Sequence, residues 1–194
     1  MQTSSDVRRA GQWFDEIRQL KGKHVHMRLI SEHSSSVAPS GSWKRYTVAA
    51  AAVAAAATAG AVAVDADSDW YRSLRKPAWQ PPSWAFGLVW TPLYASIAFA
   101  AGHALGRAQG RERAGTAALF GVNLVLNAGW TWLFFRRRSP RAALAGTLVL
   151  DLSNAALIRR TARVDLVAAR ALLPYTAWCA FATALNASLT RRNP

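Results

Sequence analysis

Along this chain, charged residues fall in short clusters, and between the clusters run long apolar stretches. An α-helix needs about 20 apolar residues to cross a hydrocarbon core. By that measure the pattern predicts five spanning helices, at residues 46–64, 85–105, 114–135, 142–158 and 171–190. Four of the five contain no Asp, Glu, Lys or Arg, and the fourth in chain order contains only Asp151. In a chain of 194 residues, so many successive apolar helices would leave too little polar surface to face water. The expected fold is therefore all-α: an integral membrane bundle of five transmembrane helices over residues 46–193, preceded by a polar, basic tail at residues 1–45.

The second and fifth spans, rich in Leu, Phe, Ala and Trp, carry the strongest signal. The first consists largely of Ala with some Val, Thr and Gly, which insert less favourably than Leu or Ile. Its small residues suit close packing against neighbouring helices, which lipid alone does not drive. Gly102 and Gly106 form another small-residue pair at four-residue spacing, a candidate helix contact surface.

The tail has no apolar core of a signal peptide and reads as a disordered or surface-lying segment. Trp13, Ile17 and Leu20 would share one face of a short helix resting on the membrane. His24, His26 and His33 lack the spacing and the companion Cys of a known metal site, so no metal is expected. The lone Cys179 excludes an internal disulfide.

A net charge of +14 raises the question of nucleic acid. The distribution answers it, because the arginines outside the tail gather at helix ends: Arg107, Arg111 and Arg113; Arg136 to Arg138 and Arg141; Arg159, Arg160 and Arg163; Arg191 and Arg192. Anionic lipid headgroups meet side chains at those positions, so the expected partner is a bilayer and not nucleic acid. Basic residues are more numerous on the N-terminal side, which favours a cytoplasmic N-terminus by the positive-inside rule. The Ala- and Arg-rich composition points to a bacterial cell membrane.

Chemistry concentrates in one loop and three helix faces. The loop, DWYRSLRKPAWQPPSWAFGLVW from Asp69 to Trp90, sets Trp70, Trp79, Trp84 and Trp90 among prolines directly before the second span. That composition suits a rigid aromatic lid over a large, flat, apolar ligand, with Arg72, Arg75 and Lys76 as a cationic rim for either ligand carboxylates or lipid phosphates. Helical spacing groups Trp90 with Tyr94, Asn123 with Asn127 and Thr131, and Tyr175 with Trp178, Ala182 and Asn186. An amide in hydrocarbon needs a partner, so Asn127 serves either helix-to-helix hydrogen bonding or a ligand. Trp130 and Trp132 read as interface or packing residues. Asp151, near the middle of a span, needs a polar partner such as Asn154 and raises the possibility of transport. No nucleophile elbow, phosphate-binding glycine loop, zinc spacing or paired acids are present, so ordinary enzyme chemistry is not expected.

Four ordered blocks, WYRSLRKPAWQPP, FGLVWTPLY, LNAGWTWLFF and LPYTAWCAFATALN, resemble the TspO/MBR family of tryptophan-rich sensory proteins and translocator proteins, also known as peripheral benzodiazepine receptors. The resemblance covers roughly residues 46–193. It implies a compact five-helix bundle, usually a homodimer, with a cavity opening near the first loop. It also implies binding of porphyrins such as protoporphyrin IX and haem, in some members of sterols and benzodiazepine-type drugs, and in some bacterial members light-driven porphyrin breakdown. No cofactor is required. Carried across, the pocket residues are Tyr71, Trp79, Pro81, Trp90, Asn127 and Trp178; Tyr94, Thr131 and Ala182 share their helix faces. Trp90 and Trp178 would face the ligand and take part in any degradation. The chain departs from the family at Asn123, where many members have Gln, and at Pro92, which should kink its helix or free a carbonyl near the pocket. Many members carry an acid near the position of Gly146, whereas this chain has Asp151 further along. No basic residue follows Tyr175 closely enough to complete the sterol pattern.

The leading expectation is a tetrapyrrole-binding membrane protein acting as sensor, scavenger or regulator. The alternatives are a light-dependent porphyrin-degrading enzyme acting through Trp90 or Trp178, and a transporter dependent on Asp151.

Overall fold

The computed structural model describes residues 42–194, so the tail with Trp13, Ile17, Leu20 and His24, His26 and His33 lies outside the described residues. Among the described residues all regular structure is helical: α1 (Ser42–Ala61), α2 (Asp69–Ser73), α3 (Ser83–Arg107), α4 (Gly110–Thr131), a π-helical turn (Trp132–Arg136), α5 (Pro140–Val164), α6 (Leu166–Ala171) and α7 (Leu173–Arg192). Among the described residues, four helical stretches are long and apolar enough to cross a membrane: Ser83–Arg107, Gly110–Arg136, Pro140–Val164 and Leu166–Arg192. The fifth long helix, α1, has 20 residues and thus a reach of about 30 Å, enough for a hydrocarbon core. Being half Ala, it depends on packing against α3 and α4.

The bundle turns large apolar side chains outward and buries its amides and several hydroxyls among an apolar core. Leu88, Val122, Val125, Leu148 and Leu152 are exposed, whereas Asn123, Asn127, Asn154, Asn186, Thr116, Thr147 and Thr161 are buried. Water would favour the reverse arrangement; a hydrocarbon surround favours this one, since lipid cannot satisfy an amide. The chain is an integral, multi-pass membrane protein.

Local chemistry sets the helix ends. Ser139 caps α5 by accepting from the Ala142 amide at 3.2 Å, with Pro140 at the first helical position where a missing N–H costs nothing. Asp165 caps α6 in the same way, accepting from Ala168 N at 2.8 Å. The last predicted span begins as α7 at Leu173, because Leu172 breaks the helix and Pro174 can start a new one but not continue the old. α5 runs past the expected residue 158 to Val164, since Arg159, Arg160 and Arg163 are good helix formers whose charges can reach polar surroundings.

α1 stops at Ala61, short of residue 64, where side chains from the end of α4 and its π-helical turn take carbonyls at and just past its end. Thr131 Oγ1 lies 3.0 Å from Gly60 O, Trp132 Nε1 donates to Ala59 O at 2.9 Å, and Arg136 Nη2 donates to Val62 O at 2.8 Å. Trp132 therefore has a specific polar task beyond that of an interface residue. At its other end α1 lies against Gly102 and Gly106 of α3, where a Cβ would overlap the Tyr46 ring and the Arg45 guanidinium respectively. The small-residue pair thus serves packing within the chain. Pro92 sits on the exposed side of α3, which remains helical through it, so the carbonyl it leaves without a donor does not belong to the inner face.

α1, α4, α5 and α7 pack in sequence round the bundle, and α3 closes the ring against α1. α3 meets α7 more sparsely than α5 does. Bulky rings at Phe86, Trp90, Tyr175 and Trp178 hold the two backbones apart along this seam.

Candidate functional site

From α3, Phe86, Trp90 and Tyr94 recur every four residues and so project from one face. Trp90 stacks on Tyr94 with centroids 5.0 Å apart and an interplanar angle of 27°. It also meets Tyr175 of α7 at 6.2 Å. Trp178, one turn further along α7, lies 5.9 Å from Phe86 and 5.0 Å from Phe181. Phe181 in turn receives the edge of Trp79 from the lid at 5.8 Å. A wall of indole, phenol and phenyl rings thus lines the α3–α7 seam from the lid inwards. Trp90 and Trp178 are both half-buried.

Behind the wall runs a directed chain of hydrogen bonds. Tyr94 Oη donates to Asn127 Oδ1 at 3.4 Å, and Asn127 Nδ2 donates to Tyr175 Oη at 3.3 Å. Tyr175 Oη donates to Asn123 Oδ1 at 2.9 Å, and Asn123 Nδ2 reaches Asn154 Oδ1 at 2.7 Å and Ser153 Oγ at 3.1 Å. The chain links α3, α4, α7 and α5, with Tyr175 fully buried at its centre. Such a network fixes helix register and holds the rings in place, because any slip would strand a polar group in apolar surroundings. Asn123 meets three polar partners, Tyr175, Asn154 and Ser153, so the shorter amide in this chain is accommodated. Asp151 takes Thr183 Oγ1 as donor at 2.7 Å, whereas Asn154, the partner expected from sequence, is engaged by Asn123.

The lid crosses one end of the bundle. Ser68 caps α2, and Trp70 and Tyr71 press on the π-helical turn: Trp70 meets Phe134 edge-on at 5.4 Å, and Tyr71 meets Phe135 at 5.5 Å. Lys76 lies over the Tyr71 ring at 4.1 Å, and Gln80 Nε2 donates to Tyr71 Oη at 3.1 Å. Burial raises the Tyr71 phenol above its ordinary pKa, more than the Gln80 bond lowers it. Arg72 pairs with Asp69 at 2.9 Å, fully at the surface.

Of the residues read from sequence, Trp79, Trp90, Tyr94, Asn127 and Trp178 belong to the ring wall or to the polar chain behind it. Tyr71 sits at the lid's other anchor, against Phe134 and Phe135. Pro81 is half-buried in the lid before α3. Ala182 is half-buried on α7, and its carbonyl accepts from Asn186 Nδ2 at 2.8 Å. Thr131 turns to the α1 carbonyls described above. Phe86 and Phe181 join the wall without having been singled out, although each stands one helical turn from a chosen Trp. Tyr175, at the hub, shares its face with Trp178.

Fold and site together define a class: a multi-pass helical membrane protein with an aromatic seam under a Trp-rich lid. The chain belongs to the TspO/MBR family, whose profile matches residues 47–192. Among curated proteins it is similar to the tryptophan-rich protein TspO of Chlorobaculum tepidum, at 35% identity over 126 residues, covering 64% of this chain and 80% of that protein. It is also similar to the human translocator protein, at 36% identity over 126 residues, with 64% and 75% covered. The protein CrtK of Rhodobacter capsulatus is 34% identical over 126 residues, with 64% and 79% covered.

Proposed function

We propose that this TspO/MBR protein binds a flat tetrapyrrole, protoporphyrin IX or haem, along the α3–α7 seam, and acts in a bacterial cell membrane as a sensor, scavenger or regulator of such molecules. The observation that carries this reading is the continuous ring wall from Trp79 through Phe181 and Trp178 to Phe86, with Trp90 and Tyr94 beyond. A macrocycle offers a face that such rings can stack on, and its propionates suit the cationic rim of Arg72, Arg75 and Lys76. Sparse backbone packing between α3 and α7 supports the same place, because a flat ligand can part rings more readily than interlocked small residues.

The test is a dark titration of detergent-solubilised protein with protoporphyrin IX, read by tryptophan fluorescence. Saturable quenching is expected, weakened roughly three- to tenfold by Trp90→Phe or Trp178→Phe, since each replaces an indole by a smaller ring. Absence of saturable quenching would overturn the reading. Illumination of the same complex addresses degradation: loss of the porphyrin bands that both Phe variants abolish would establish it. We further read the protein as a homodimer in a bilayer with anionic headgroups, with no role in binding nucleic acid. The Gly102–Gly106 surface is taken by α1, so the second copy would dock elsewhere, and intersubunit cross-linking in liposomes tests this.

A further inference from the structure

Between its two aromatic anchors, Trp70–Tyr71 at one end and Trp79 at the other, the lid passes over the end of α7. There a single side chain meets it in both directions. The Arg75 amide donates to Asn193 Oδ1 at 3.0 Å, and Asn193 Nδ2 donates back to Arg75 O at 3.2 Å. The same Nδ2 also reaches Leu189 O at 2.9 Å, while the Asn193 amide donates to that carbonyl at 3.0 Å. Asn193 therefore caps α7 and, with the same group, pairs with Arg75 as one strand residue pairs with another. A carboxamide can do this because it carries a donor and an acceptor side by side.

We propose that Asn193 is a latch for the lid, and that its release sets how fast a ligand enters and leaves the α3–α7 seam. The second half of this statement rests on the tetrapyrrole reading; the first does not. The position of the clasp supports the assignment. The side chains of Trp70, Tyr71 and Leu74 are at least half-buried, and Pro77 is buried, so the lid from Trp70 to Pro77 is held by apolar contact. Trp79 is 49% exposed and touches the wall edge-on at Phe181, a contact that can swing open. The clasp at Arg75 lies near the end of this fixed stretch, just ahead of Trp79; beyond Trp79, Gln80 is tied back to Tyr71 by a side-chain hydrogen bond at 3.1 Å. Its bonds lie at the exposed end of the bundle, where water can replace them, so opening carries a modest cost. A strap held to α7 by two exchangeable bonds at Arg75 opens there more often than one held to it by buried rings.

Hydrogen exchange on the full chain in detergent, without ligand, reads the latch directly. In Asn193→Ala the lid peptide holding the Arg75 amide should exchange roughly tenfold faster, the sum of two modest bonds lost. Asn193→Asp keeps an acceptor for the Arg75 amide but loses the donor, and should fall between. Amides in the middle of α4 should not change in either variant. Unchanged lid exchange in Asn193→Ala would overturn the latch. A stopped-flow arm with protoporphyrin IX in the dark then reads the consequence. Association and dissociation should both accelerate by a similar factor while affinity stays within about twofold, because a gate acts on both directions alike. Faster lid exchange with unaltered ligand rates would overturn the gating role. If wild-type protein binds no porphyrin, the tetrapyrrole reading fails, while the exchange arm still decides the latch.

Discussion

Replacing Tyr175 by Phe removes one oxygen atom from the centre of the bundle and leaves the ring in place. That oxygen donates to Asn123 and accepts from Asn127, and the residue has no solvent exposure. Two groups lose their partner: Asn123 Oδ1 and Asn127 Nδ2. A buried polar group left unsatisfied costs about 1–3 kcal/mol, whereas hydrogen bonds between membrane helices average about 0.6 kcal/mol because the separated helices also find partners. Asn123 keeps its bonds to Asn154 and Ser153, and Asn127 keeps Tyr94, so neither amide is wholly stranded. The expected loss is therefore about 1–4 kcal/mol in total. Reversible unfolding in mixed micelles, followed by circular dichroism, measures it. A cycle with Asn123→Leu isolates the Tyr175–Asn123 bond, and the double variant should lose less than the two singles together. Strict additivity of the two substitutions, or a loss for Tyr175→Phe below about 0.5 kcal/mol, would refute the idea that this chain of hydrogen bonds holds the four helices in register. Porphyrin affinity should change far less than in Trp178→Phe, since the ring that meets Trp90 remains.

Other substitutions probe separate parts of the structure. Gly102→Val should push α1 off α3 by forcing a side chain into the Tyr46 ring, costing about 1–3 kcal/mol in the same unfolding assay, while Gly121→Val on the open face of α4 should cost less than 1 kcal/mol. Asp165 is buried between α3 and the start of α6: Arg107 Nε lies 2.9 Å from its Oδ2 and His103 Nδ1 3.1 Å from the same oxygen. Burial by itself raises the pKa of this carboxyl, but the Ala168 amide, His103, Arg107 and the Val167 amide together outweigh it, and the net direction is down. A carboxyl lowered in the folded state contributes stability above its unfolded pKa and loses it as pH falls through the folded value. Unfolding free energy should therefore hold steady at neutral pH and drop on acidification below the ordinary Asp range, with a shallower drop in Asp165→Asn; an equal acid slope in the two proteins would contradict this. The Trp90→Phe and Trp178→Phe titrations and the Asn193→Ala exchange measurement complete the set.

Much of the architecture is legible in one dimension. Apolar stretches of spanning length identify the helices, because a bilayer imposes a minimum length and excludes charge irrespective of which helix lies beside which. Helical spacing also places Trp90 with Tyr94, and Tyr175 with Trp178, on common faces. The ends of the helices are less legible. α5 continues through Arg159, Arg160 and Arg163 since charge ends an apolar run without ending a helix. α1 stops at Ala61, where Thr131, Trp132 and Arg136, some seventy residues away in sequence, take the carbonyls of Gly60, Ala59 and Val62. Trp132 and Thr131 carried no sign of that role.

The sequence by itself determined that this is a multi-pass helical membrane protein of the TspO/MBR family with an aromatic lid, since composition, run length and ordered motifs are local properties. Only the tertiary structure decided which amide meets which phenol, that Gly102 and Gly106 receive α1, that Asp151 takes Thr183 in place of Asn154, and that Asn193 holds the lid at Arg75. Each of these is a pairing between residues far apart in the chain. A side chain's chemistry states that it needs a partner, but the partner's identity follows from how the helices pack, and that depends on the fit of all the inner faces at once.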